Sequence, residues 1–368
     1  MLKNSNSVMS DKRNYGIDLL RMFSMFLIAV LHINRQGGAM MRIAGAPETY
    51  YVTWFLETAA YCSMNCYGLI SGYAGVDSRP RFSRFMELWL QVFFYSAGIT
   101  FLTGLVRPDW VTFEGMVRSL MPVTFNLYWY FTAYTGVAFL QPYLNRMILS
   151  LTDREKKRLL LVILLLFCCF TAVPRVLGMD IMILSGGNSF VWLMLLYLAG
   201  ACLKKLSFRK RPAWQYVTVY LSLTIVSWAY KILMENYTRA RLGEPKYGRL
   251  LIGYTSPTIF LSGICLLLLF ATLDICHKGL IRIIRFFSPL TFSVYLIHVH
   301  PIPWNHLILD RFRSFNLLPW YQAIFLVPGC AFAIWLTCSL LDIPRYLLFR
   351  LLRIRKLCEA IERRLIPF

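Results

Sequence analysis

Acidic residues are scarce in this chain, with 18 Asp and Glu against 39 Lys and Arg among 368 residues. The charged types together make up only 15%, and 58% of the residues are hydrophobic. So little charge excludes a disordered chain and leaves too little polar surface to solvate a domain of this size. No CxxC pair is present and no His stands at zinc-finger spacing from a Cys, which removes the common thiol-redox and structural-zinc motifs. The ten cysteines lie mostly in apolar segments, among them Cys62, Cys66, Cys168, Cys169, Cys202, Cys265, Cys330 and Cys338, and read as small packing residues. No internal repeat or low-complexity tract appears, and no segment between apolar runs exceeds about twenty residues, so no water-soluble domain is appended. The first fifteen residues, MLKNSNSVMSDKRNY, are polar and lead into an apolar run of spanning length, so a signal peptide is not expected.

What remains is a chain of apolar runs. The mean hydropathy of +0.54 fits an all-α, polytopic integral membrane bundle. Ten spans are expected, with both termini cytoplasmic. They begin with Tyr15–Asn34 and Tyr51–Tyr73 and end with Ser288–Leu309 and Pro319–Leu341. Span five, Leu159–Pro174, is short, and Arg107–Phe125 interleaves aromatics with Glu114 and Arg118 in the manner of a helix lying at an interface. The net charge of +21 is no sign of nucleic acid, because the basic residues concentrate in the loops this topology places inside: 26 Lys and Arg against 11 in the outer loops. The outer loop 235–253 is basic against this trend. The division expected is a cytoplasmic tail at 1–14, a transmembrane domain at 15–341, and a basic amphipathic cytoplasmic tail at 342–368, where anionic lipid favours each positive charge.

The first span, YGIDLLRMFSMFLIAVLHIN, carries Asp18, Arg21 and His32. Eleven helical steps separate Arg21 from His32, roughly 16 Å along the axis, and return both side chains to nearly one face. Ionisable groups in a spanning helix cost several kcal/mol unless they face a polar interior, so they mark a functional path. Alternatively Arg21 is simply the partner of Asp18 one turn earlier and His32 an interfacial histidine. Other charged groups have equally plain readings. Arg79, Arg81 and Arg84 form a basic cytoplasmic turn. Lys231 lies near the outer end of span seven, from where its amine reaches water. His298 follows Tyr295 within span nine and serves equally as a hydrogen-bonded structural residue or as a second catalytic group. His300 and His306 flank Pro301 and Pro303 and belong to a loop or kink.

An Arg, ten residues and a His in the first span, here IDLLR…H in a context like LDLLR…H, resembles the acyltransferase family 3 of integral membrane proteins. The order of further motifs is similar: ISGY closing span two, Arg81-Phe-Ser-Arg84 heading span three, YWYFTAYTGVAFLQPYLN, LYLAGACLKKL, and SPLTFSVYLIHVHP, which resembles the family's late Ser-Tyr-Leu-x-His motif. The likeness covers roughly residues 15 to 345 and points to the Gram-positive, polysaccharide-modifying branch. It implies transfer of an acyl group, acetyl or succinyl, from cytoplasmic acyl-CoA to a hydroxyl of a cell-surface or secreted glycan or its lipid-linked precursor. On this resemblance the protein is a plasma-membrane enzyme of the class transferring groups other than amino-acyl groups. Acyl-CoA is then a co-substrate, no cofactor is held permanently, and polysaccharide-biosynthesis proteins are possible partners. Arg21 and His32 correspond to the family's functional pair, and Arg81 and Arg84 to its Arg pair, suited as guanidinium forks to CoA phosphates. Asp18, Tyr295 and His298 are further candidates. His32 serves as a general base toward the acceptor hydroxyl or as a covalent acyl carrier. One departure stands out: where many relatives carry an acidic residue in span four, this chain has Trp129 to Tyr134, TrpTyrPheThrAlaTyr.

Two other classes compete. A transporter or flippase would line a path with the same charges, although no repeat symmetry supports it. Flux without an acyl donor would identify it. A non-catalytic membrane anchor would tolerate Arg21→Ala.

Overall fold

The computed structural model describes residues 13–41, 47–78, 81–206 and 211–365, and among them every regular element is helical. The chain opens with α1 (Tyr15–Asn34), whose bounds are those expected; Asn14 caps it by accepting from the backbone N of Ile17 at 3.2 Å. α2 (Pro47–Ala60) and α3 (Ser63–Gly75) replace the single second span. The chain stays apolar across their break, which is buried at Tyr61 and Cys62, and the Ala59 carbonyl freed there accepts from the Tyr220 hydroxyl at 2.8 Å. Such a partner is needed wherever a helix is interrupted away from water.

α4 (Phe82–Val106) leads to α5 (Phe113–Leu120), a short amphipathic helix with Thr112 as its N-cap. Its Phe113, Met116 and Leu120 are exposed, while Ser119 is buried toward α4 and its carbonyl accepts from the Ser96 hydroxyl at 2.6 Å. α6 (Trp129–Ser150) follows. The fifth span is longer than expected: α7 (Asp153–Val162) continues through a π-helical stretch (Ile163–Cys169) into α8 (Ala172–Val176). Thr152 and Glu155 begin it with reciprocal capping bonds.

α9 (Phe190–Lys205) is apolar on all sides and sits at the centre, buried along nearly its whole length. It lies against α3 with almost no room. A Cβ on Gly72 would fall 1.8 Å from the Tyr197 carbonyl oxygen, and one on Gly200 2.0 Å from that of Leu69. Gly68 and Gly72 give α3 the small-xxx-small spacing that lets membrane helices touch backbone to backbone.

α10 (Ala213–Leu242) and α11 (Pro257–Ala271) pair on the outside of α2 and α3. Lys231 of α10 does not reach for water as expected. It is fully buried, ion-paired with Glu235 one turn on, bonded to the Tyr50 hydroxyl at 3.2 Å, and set 3.8 Å over the Trp54 ring. A cation that finds a carboxylate and an aromatic face inside the bundle has no need to extend outward.

α12 (Lys278–Phe287) runs through a 3₁₀ turn into α13 (Thr291–His298), and the ninth span then breaks. Pro301 and Pro303 lack amide protons, so the helix cannot continue. His300 caps the one-turn α14 (Pro301–Pro303) by accepting from Ile302 N, and a π turn (Trp304–Ile308) follows. α15 (Trp320–Leu341) packs on α1. α16 (Ile343–Leu351) and the amphipathic α17 (Ile354–Leu365) close the described chain.

Six helices among the described residues are long and apolar enough to cross a membrane: α1, α4, Asp153–Val176, α10, Lys278–His298 and Trp320–Leu351. The remaining expected spans are shorter, broken or more polar. Helices enclosed by others meet little lipid, so neither length nor uniform hydrophobicity is demanded of them.

Candidate active site

The site is built on α1. Arg21, Met25, Ile28 and His32 recur at spacings of four, three and four, which keeps them on one helical face. The last three line a cavity of about 60 Å³, together with Met64 and Tyr67 of α3, Trp129 and Tyr130 of α6, Tyr254, and Phe292 and Tyr295 of α13. Tyr67 links this cavity to the other end of the stripe by donating from its hydroxyl to the Arg21 carbonyl at 2.9 Å.

At the upper end of the stripe two imidazoles meet. Nδ1 of His32 lies 2.9 Å from Nε2 of His298, and their ring centroids are 5.1 Å apart. The tautomers follow from the third member of this chain. Nδ1 of His298 is hydrogen-bonded to the Val294 carbonyl. That oxygen can only accept, so Nδ1 of His298 carries the proton and Nε2 of the neutral ring is left as an acceptor. His32 must then donate through Nδ1, which leaves Nε2 of His32 with its lone pair unprotonated. The edge-to-face packing of Trp304, 4.9 Å between centroids, fixes the ring's orientation further.

At the lower end the carboxylate of Asp18 is buried and receives three groups: Arg21 Nη1 at 2.9 Å, Arg13 Nε at 2.6 Å and the Ser288 hydroxyl at 3.2 Å. The plain reading of Arg21 as partner of Asp18 is therefore realised, yet only one of the five guanidinium N–H donors is spent on it. The Arg21 side chain remains 36% exposed. Arg84, in the first turn of α4, is exposed and has no ion-pair partner among the described residues. Arg21 and Arg84 both act electrostatically on Tyr134 of α6, which places the two cations around one region. Arg81 is the N-cap residue of α4, also exposed, and lies beside Glu362 of α17. Arg79, the third member of the basic turn, lies outside the described residues.

Tyr295 lines the cavity, and its oxygen accepts from the backbone N of Tyr130 at 3.4 Å, which leaves its own proton to donate. His300 and His306 stand apart from the imidazole pair. His300 uses Nδ1 as a cap and donates from Nε2 to the Ser96 carbonyl at 3.2 Å, so both nitrogens are engaged in holding the kink. His306 stacks on Trp110, 3.7 Å between centroids. Sequence reasoning missed Trp304, Tyr67, Tyr254 and Met64. Trp304 was signalled by the Pro-interrupted span, since broken membrane helices line cavities; nothing local marked the other three.

The fold and site together define a helical membrane protein in which one face of one helix carries a partly exposed guanidinium and a buried imidazole with one unprotonated nitrogen. Residues 14–338 match the model of the acyltransferase 3 family, described as an acyltransferase domain, and the chain belongs to that family. No curated protein and no solved structure matches it.

Proposed function

We propose that the protein is a plasma-membrane O-acyltransferase that moves an acetyl group, or a succinyl group, from cytoplasmic acyl-CoA to a hydroxyl of a surface glycan or its lipid-linked precursor. The topology in this reading is ten spans with both termini inside, which sets Arg21, Arg81 and Arg84 low and His32 high. The observation that carries the proposal is the relay from His32 to His298 to the Val294 carbonyl, because it leaves Nε2 of His32 free to take a proton at the cavity.

CoA phosphates bind the exposed guanidiniums of Arg84 and Arg81 and the spare donors of Arg21, whose orientation Asp18 maintains. The pantetheine arm follows the α1 stripe, and the thioester reaches the cavity. The acceptor hydroxyl oxygen attacks the thioester carbonyl as its proton passes to Nε2 of His32. Tyr295 donates to the developing oxyanion. Collapse breaks the carbon–sulfur bond, the new ester leaves on the acceptor, and the proton on His32 passes to the CoA sulfur, so CoA departs as the thiol. The imidazolium formed midway is stabilised by its Nδ1–H bond to His298, as a triad histidine is by its orienting partner.

Purified protein in detergent is expected to move radiolabelled acetyl from acetyl-CoA to glycan, with His32→Ala lowering the rate by roughly 10² to 10⁴. Equal labelling by wild type and His32→Ala would overturn the mechanism, and substrate flux in liposomes without any acyl donor would favour a transporter.

A further inference from the structure

A second concavity takes no part in the chemistry above; Leu127 and His300, which line it, stand two residues from Trp129 of the first cavity and from His298. It is an open cleft of about 290 Å³ between α5 and the broken segment Pro301–Ile308. Its floor is closed by Thr100, Ser119 and His300, all buried and all engaged in internal hydrogen bonds. Its rim carries Glu114, Arg118, Asn305 and the stacked pair Trp110 and His306.

Three features define what fits. Glu114 and Arg118 are paired at 2.6 Å, so the rim carries no net charge and offers nothing to a multiply charged anion. The same side chains, with the Asn305 amide, nevertheless bring both donors and acceptors to one cleft, a combination matched by hydroxyls, which both give and take a hydrogen bond. Finally, the wall is stiff: Arg107 stacks on Trp110 at 4.7 Å while held by Asp109 at 2.9 Å, and Arg311 donates to the His306 carbonyl at 3.0 Å. A concavity walled mostly by apolar and aromatic groups, here Trp110, Val111, Leu127 and Ile302, with a few placed polar ones is the usual form of a small-ligand site. Its position adds the decisive relation. The segment that supplies Asn305 and His306 also supplies Trp304, whose edge packs on His32.

We propose that this cleft binds the saccharide portion of the acceptor, with Glu114, Arg118 and Asn305 hydrogen-bonding its hydroxyls next to the imidazole that activates one of them. The inference rests on the O-acyl transfer reading and names the acceptor subsite within it. α5 presents Phe113, Met116 and Leu120 outward, so the cleft opens at the height where an amphipathic helix meets the bilayer surface.

The test is equilibrium binding of tritiated maltotetraose and chitotetraose to the full chain in detergent, without acyl-CoA. One of the two is expected to bind, with Asn305→Ala and Glu114→Gln each weakening it about tenfold, the effect of losing one or two neutral hydrogen bonds or one charge-assisted one. Inositol hexakisphosphate is expected not to compete. Asn305 and Glu114 are exposed, and unchanged melting of the variants shows that the fold persists. Failure of both saccharides to bind, binding that survives both substitutions, or displacement by the phosphate compound each overturns the proposal. Acetyl-CoA binding measured on the same proteins separates the two readings. If wild type binds acetyl-CoA but neither saccharide, only the cleft assignment falls; if it binds a saccharide at these residues but no acetyl-CoA, the transfer mechanism falls and the cleft assignment stands.

Discussion

Nδ1 of His32 and Nε2 of His298 are 2.9 Å apart, although 266 residues separate them in the chain. Removing the acceptor should leave His32 in place but free to adopt the other tautomer. His298→Ala is expected to lower kcat by roughly a hundredfold, near the low end of what a positioned base contributes. Its KM for acyl-CoA should stay unchanged, and His298→Gln, whose amide oxygen can still accept, should restore part of the rate. Loss of acyl-CoA affinity in His298→Ala, or no rescue by Gln, would show a role in the fold alone.

Arg84 is an exposed cation with no ion-pair partner among the described residues, and it shares with Arg21 an electrostatic effect on Tyr134. Arg84→Ala should raise the KM for acyl-CoA by about tenfold, as for a lost charge-assisted phosphate contact, with no change in melting. Arg84→Lys should recover only part of the affinity, since a point charge lacks the planar fork. The measurement is acyl-CoA titration at low and high salt, with the difference between proteins shrinking as salt rises.

Lys231 and Glu235 test the interior of α10. Lys231→Met leaves the Glu235 carboxylate without its ammonium and is expected to cost about 3–5 kcal/mol. Glu235→Gln in the same chain should return most of the loss. Thermal unfolding of the single and double variants in detergent forms the cycle, and additive losses would refute the pairing.

The α3–α9 contact admits no side chain at Gly72 or Gly200. Gly200→Val is expected to force the helices apart and to abolish a monodisperse folded species, read by size exclusion in detergent, while Gly98→Ala, which meets nothing within 4 Å, should be silent.

Glu362 anchors α17 by accepting from the backbone N of Phe82 at 2.6 Å. Partial burial draws its pKa upward, but bonds from the Ser83 side chain and the Phe82 and Ser83 amides, with Arg81 nearby, prevail and hold the carboxyl below its ordinary 4.5. A depressed folded pKa stabilises docking above the ordinary value, and this stabilisation is lost as pH falls below it. Glu362→Gln imitates the protonated state at neutral pH. It should raise maleimide labelling of Cys358, which is 1% exposed on the docked face of α17 itself, as read by peptide mass spectrometry. Labelling equal to wild type would remove Glu362 from the docking.

Much of this arrangement was legible beforehand. The helix from Tyr15 to Asn34, its polar stripe, the amphipathic segment around Glu114 and the kink at Pro301 all follow from local period and breaker chemistry. The interruption at Tyr61 was not, because the chain remains apolar across it and the compensating hydroxyl comes from Tyr220 on a distant helix. Lys231 misled for a similar reason: Glu235 stands one turn away in sequence, but the Trp54 face that completes its site belongs to α2. Shared apolar character likewise hid which runs face lipid and which, like α9, are enclosed by their neighbours. The approach of His298 to His32 leaves no periodic trace at all.

Because α1 is a single unbroken helix gripped by α2, α3, α11, α13 and α15, the height difference between Arg21 and His32 is set by the peptide rise alone. In the proposed transfer the helix would serve as a ruler for the acyl donor. On that proposal a thioester with a shortened arm would leave one mark or the other unreached, and selection by reach would rest on the backbone before any side chain selected by chemistry.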